Sequence, residues 1–88
     1  MAATIRVKGE IIDNPNDNNI GSAECVHCTA TGGAQSVIVK GLDGGAVGSI
    51  YLHAVGDTII IEKGKTDTIT LADGKASSVI TCYGNSNP

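Results

Sequence analysis

An all-β fold is predicted for this chain, a single-domain antiparallel β-sandwich or small barrel of about seven strands spanning residues 1–88. Three observations predict it. Short stretches of alternating apolar and polar residues recur along the chain, rich in Ile, Val and Thr, the residues that suit a pleated, half-buried surface. Turn-formers separate these stretches at the short, regular spacing of a sandwich or barrel. Nowhere do apolar residues recur at i, i+3, i+4 and i+7 over the length of a helix.

The elements follow in order. Residues 3–8 (ATIRVK) alternate as a first strand, which residues 10–12 extend or re-enter after Gly9. The Asp13–Asn19 segment is a polar loop of turn-formers. Residues 23–30 (AECVHCTA) alternate again, with Cys25, His27 and Thr29 on one face and Val26 and Cys28 on the other. Thr31-Gly32-Gly33 turns the chain into the β-branched strand 35–40. Gly41–Gly45 contains the Asp-Gly pair that favours tight hairpins. Three further strands, 47–54, 57–63 and 66–71, are divided by Gly-containing turns. After Asp73-Gly74 comes a last strand, 76–83, and Gly84–Pro88 is a polar tail.

Composition narrows the function. There is no Phe and no Trp, and Tyr51 and Tyr83 are the only aromatic residues, so the core must be built from small aliphatic side chains. A domain of this size buries only roughly 60% of its unfolded surface, so further burial between copies would add to a thin margin. A homo-oligomer is the expectation. The formal net charge is −3, and Arg6, Lys8, Lys40, Lys63, Lys65 and Lys75 are scattered. Without a basic patch or a stacking platform, no nucleic-acid partner is expected. No stretch approaches the ~18 apolar residues of a membrane-spanning helix. The N-terminus lacks a continuous apolar signal segment. Synthesis in the cytoplasm without a membrane partner is expected. Three cysteines, an odd count, argue against a disulfide framework.

Candidate chemistry is sparse. Cys25-Val26-His27-Cys28 is a C-x-x-C, a spacing used by zinc sites and by redox sites. Redox use needs a helix to follow, and zinc normally needs a second ligand pair, for which only His53 and Cys82 remain. On a strand, residues three apart point to opposite faces. Cys25, His27 and Cys28 therefore stand only as weak metal candidates, with half-buried packing the simpler role. His27 and His53 lie in strand patterns without a nucleophile-and-base constellation around them, so no catalytic residue, no cofactor and no enzymatic activity are expected. Asp13, Asp17, Asp43, Asp57, Asp67 and Asp73 fall in or beside turns, where turn chemistry accounts for them. The Asp13–Asn19 loop does not match the D-x-D/N-x-D/N-G-x5-E pattern of a calcium loop. Gly41–Gly48 lacks the lysine and the following helix of a phosphate cradle.

The strongest pointer to partners is the run 57–63 (DTIIIEK). Ile59, Ile60 and Ile61 are consecutive, so both faces of the strand are apolar. That suits a central strand covered on both sides, or a strand buried at a subunit contact. Asp57, Glu62 and Lys63 would be its gatekeepers.

Residues 48–74, from Gly-Ser-Ile through Val-Gly-Asp-Thr-Ile-Ile-Ile-Glu-Lys to Lys-Thr-Asp-Thr-Ile, resemble small all-β virion proteins of tailed bacteriophages, nearest to those of phages infecting marine cyanobacteria. The resemblance covers about residues 36–83 and rests chiefly on Glu62-Lys63 followed by Thr66-Asp67-Thr68-Ile69. It implies a structural component of the particle: a capsid decoration or cement protein contacting the major capsid protein or other virion subunits, or else a small tail or baseplate component. It implies location in the virion and no catalytic residues. The subunit-interface candidates are Ile59, Ile60, Ile61, Glu62, Lys63, Thr66 and Asp67. From a different class, a small metal-binding module on Cys25 and Cys28 is the alternative. A carbohydrate-binding sandwich ranks last for want of an aromatic platform.

Overall fold

The structure is a computed structural model that describes residues 5–81. Its eight strands are β1 (Ile5–Val7), β2 (Ile12–Asp13), β3 (Cys25–Ala30), β4 (Gln35–Lys40), β5 (Ala46–Leu52), β6 (Thr58–Glu62), β7 (Thr68–Leu71) and β8 (Gly74–Thr81). They form two antiparallel sheets packed as a sandwich. The first has the order β1-β8-β3-β6, with β2 also on β8, and the second the order β5-β4-β7.

The expected first strand arrives as two pieces. Val7 pairs with Val79 and Ile12 with Ala76, so the β1–β2 side carries extra residues around Gly9 and bulges away from the ladder. The strand expected at 57–63 covers Thr58–Glu62, and the one expected at 66–71 begins at Thr68, because turns claim their ends. The expected last strand begins earlier, at Gly74, and its continuation to Tyr83, with the Gly84–Pro88 tail, lies outside the described residues.

Alternation sets the core. Val26, Cys28 and Ala30 of β3 and Ala76 of β8 point inward, against Val37, Leu52, Ile69 and Leu71 of the second sheet. Ile12, Val39, Ile59 and Ile61 pack around that cluster. These are aliphatic or small side chains, as an aromatic-poor sequence requires.

The chain crosses between sheets at a sharp corner after β7. Gln35 clamps it: its amide oxygen accepts from the Asp73 N–H (2.8 Å), and its amide nitrogen donates to the Asp73 carbonyl (2.7 Å). Gly74 is required there, because a Cβ would overlap the Thr29 carbonyl oxygen and the Leu71 side chain.

The Asp13–Asn19 loop does more than turn. Pro15 is buried, its carbonyl accepts from Leu71 N–H (2.9 Å), and Asn18 exchanges backbone hydrogen bonds with Ile69 at 2.8 and 3.1 Å. The loop therefore closes the outer edge of β7. It continues through Ile20, Gly21 and Ser22, all in the left-handed region, with φ of 56°, 66° and 59°. That conformation costs about 1–2 kcal/mol for a β-branched residue. Ile20 is completely buried, which offsets the cost.

Candidate assembly surface

Each free strand edge is a row of unpaired backbone N–H and C=O groups, so the edges are where this fold can add a partner. With β7 closed by the loop, the second sheet keeps one free edge among the described residues, β5. Among the described residues β6 is a free edge of the first sheet. The two lie on the same side of the sandwich. Between them opens an apolar cleft of about 190 Å³, lined by Val37, Val39, Val47, Ile50 and Ile61 and bordered by Glu62, Lys63 and Asp67.

β6 is thus an edge strand, not a central strand covered on both sides. Its pairing with β3 sets Ile59 opposite Cys28 and Ile61 opposite Val26, so both face the core, while Ile60 lies opposite His27 on the outer face. All three isoleucines are half-buried. Glu62 is exposed at the strand's end. Thr66 is exposed in the following turn, and Asp67 closes that turn by accepting the Gly64 N–H at 3.0 Å.

Lys63 does not act as an exposed gatekeeper. It is 7% exposed, and its ammonium donates to the carbonyls of Ala23 (2.7 Å) and Gly64 (3.0 Å). Its backbone N–H donates to the Glu24 carbonyl at 2.8 Å. The left-handed turn before β3 leaves the Ala23 carbonyl pointing inward, and the long lysine stem reaches it. Desolvation lowers the Lys63 pKa, and the Asp67 carboxylate partly counters this.

Sequence patterning did not single out β5. From Ala46 to Ile50 it is exposed throughout, and Tyr51 is exposed with its ring edge-on to His53 at 4.9 Å. The usable signal was what the segment lacks: no charged residue stands between Gly44 and Ala54.

The C-x-x-C residues separate as strand geometry requires. Cys25 lies half-buried on the outer face with His27, and Cys28 is fully buried in the core. Burial raises the Cys28 thiol pKa to about 11 and leaves it unreactive at neutral pH. Among the described residues no three His, Cys, Asp or Glu side chains gather where they could hold a metal ion. On that outer face a shallow groove of about 420 Å³ runs between Ile5, Val7, Ile11 and Val79, with His27 and Thr29 along it. The aspartates divide between their own turns, as at Asp43 and Asp57, and pairs across the fold, as at Asp17. Asp57 accepts from the His53 and Ala54 N–H groups at 2.8 and 3.1 Å, Asp43 accepts from Gly45 N–H, and Asp17 pairs with Lys40 at 3.4 Å.

Comparison with protein families, with curated proteins and with solved structures finds no match to this chain.

Proposed function

We propose that this protein is a non-enzymatic structural subunit of a tailed-phage virion, a decoration or cement protein that stabilises the capsid by binding the major capsid protein. The observation that carries the reading is the open side of the sandwich. There two strand edges, unpaired among the described residues, flank an apolar cleft that Ile61, Glu62, Lys63 and Asp67 line on the β6 side. The resemblance of residues 48–74 to small virion proteins supplies the setting.

The mechanism is burial at subunit junctions. A small aliphatic core leaves a modest margin, and covering the open side adds to it. Many identical weak contacts on a symmetric lattice combine through multivalency. A subunit that binds the mature lattice better than its precursor shifts the shell toward the mature form.

The test is direct. The chain is quantified in purified particles, and heads depleted of it are compared with intact heads under heat and osmotic shock. Depleted heads should release their contents at lower temperature. Equal resistance overturns cementing. A copy number of a few per particle moves the subunit to the tail or baseplate.

A further inference from the structure

We propose that two copies of this chain join edge to edge through β5, running antiparallel about a two-fold axis near Ser49, so that their second sheets become one continuous sheet. The proposal rests on the assembly reading above and names the surface through which copies meet.

The chemistry of an edge strand selects a strand as its partner, and charge selects which edge pairs with itself. Among the described residues β5 hydrogen-bonds only to β4, which leaves its other side open. Proteins ordinarily protect such an edge with lysine, proline or an inward-pointing charge. The segment from Gly44 to Ala54 has none of these. The other edges do. β1 centres on Arg6, so antiparallel self-pairing would set two guanidinium groups side by side, with Lys8 adding to the repulsion. β6 is bracketed by Asp57 and Glu62. β7 is occupied by the Pro15–Asn18 loop. Among the open edges of the described residues, β5 is the one that carries no charged residue, so its self-pairing brings no charge into the seam.

Side-chain sizes fit the same arrangement. About Ser49, Gly48 of one copy stands opposite Ile50 of the other, and Val47 opposite Tyr51. A Cβ at Gly48 would meet nothing within 4 Å, so the glycine leaves open space for the facing isoleucine. Ile50, 43% exposed, lines the cleft toward Ile61, which the second copy would cover. The commonest soluble oligomers are two-fold dimers in which one self-complementary patch is used twice.

The experiment is light scattering across a concentration series, joined to cysteine cross-linking. Single Cys substitutions at Gly48, Ser49 and Ile50 are oxidised, with Ser36→Cys, one strand back from the edge on β4, as control. The wild-type chain should dimerise. At least one of the three edge cysteines should trap a covalent dimer, since directly opposed residues in antiparallel strands sit within disulfide reach. Ser36→Cys should not. Gly48→Lys, checked for its native β spectrum by circular dichroism, should weaken dimerisation about a hundredfold by filling the space left for Ile50 of the other copy and burying a charge in the seam. A chain monomeric at every concentration overturns the proposal. So does a dimer that none of the three cysteines traps, or one that Gly48→Lys leaves unchanged. Virions that lack the chain while the β5 dimer forms would sink the virion reading and leave the dimer. Virions that carry it while Gly48→Lys still dimerises would do the reverse.

Discussion

The two free edges on the open side of the sandwich are built in opposite ways. β6 has the more hydrophobic sequence, three consecutive isoleucines, yet its fold leaves it half-covered: Ile59 and Ile61 turn to the core, and Asp57 and Glu62 flank the strand. β5 is less hydrophobic and broken by Gly48, yet it stands almost bare, with Leu52 its one buried residue. The opposing sheet ends at β6, so the inner face of β5 looks into a cleft instead of a neighbour. Hydrophobicity therefore says how much a strand gains from cover. Sheet order decides whether the chain itself supplies the cover, and charge decides whether another copy can.

The largest effect expected from this comparison contrasts the closed and open sides. Ile69 is fully buried between β4 and the Asn18 bridge, so Ile69→Ala should cost about 4 kcal/mol in lost transfer energy and cavity. Ile50 is 43% exposed, so Ile50→Ala in the dilute monomer should cost no more than about 1 kcal/mol. Urea unfolding at low protein concentration measures both. Equal losses would mean that β5 is covered in the monomer, and the contrast between the sides would fail.

The next effect tests the core through pH. Burial raises the Cys28 pKa from 9.0 to about 11, so the folded state favours the neutral thiol. This contribution is fully present below pH 9.0 and is lost as pH rises toward about 11, reaching about 3 kcal/mol in full. Cys28→Ala removes it, so the wild-type stability curve should fall relative to the variant's over that window. Lys63 works in the opposite sense. Its pKa is lowered, so stability from this group rises with pH through its folded value toward 10.5. Parallel wild-type and Cys28→Ala curves would show that water reaches Cys28.

The fold was legible where local rules decide it. Alternation placed Cys25 and Cys28 on opposite faces, and the Asp-Gly pair at 43–44 located the one hairpin between strands consecutive in both chain and sheet. It was not legible where long-range pairing decides it. Nothing local to Pro15 or Asn18 announces that their backbone will close β7, fifty residues on. Nothing in DTIIIEK says whether a neighbour lies on one side or two, so β6 read as equally suited to the centre of a sheet or to a subunit contact. The β5 surface left a trace, the absence of charge, which hydrophobic patterning is not designed to detect.

Lys63 is where local and long-range reading diverged most, and it gives the smallest of these effects. Placed after Glu62 in sequence, it looks like a solvated gatekeeper. In the fold its ammonium satisfies the Ala23 and Gly64 carbonyls inside the protein. Lys63→Met keeps the aliphatic stem and removes both donors, which strands two inward-facing acceptors and should cost about 2 kcal/mol. Lys65→Met, at an exposed turn position one turn residue further on, should change stability by less than about 0.5 kcal/mol. Thermal unfolding of the two variants side by side separates a buried cap from a surface charge. If Lys63→Met proved as harmless as Lys65→Met, the lysine would be a solvated gatekeeper of the β6 edge after all, and removing it would leave β6 as unguarded as β5 at no cost to the fold.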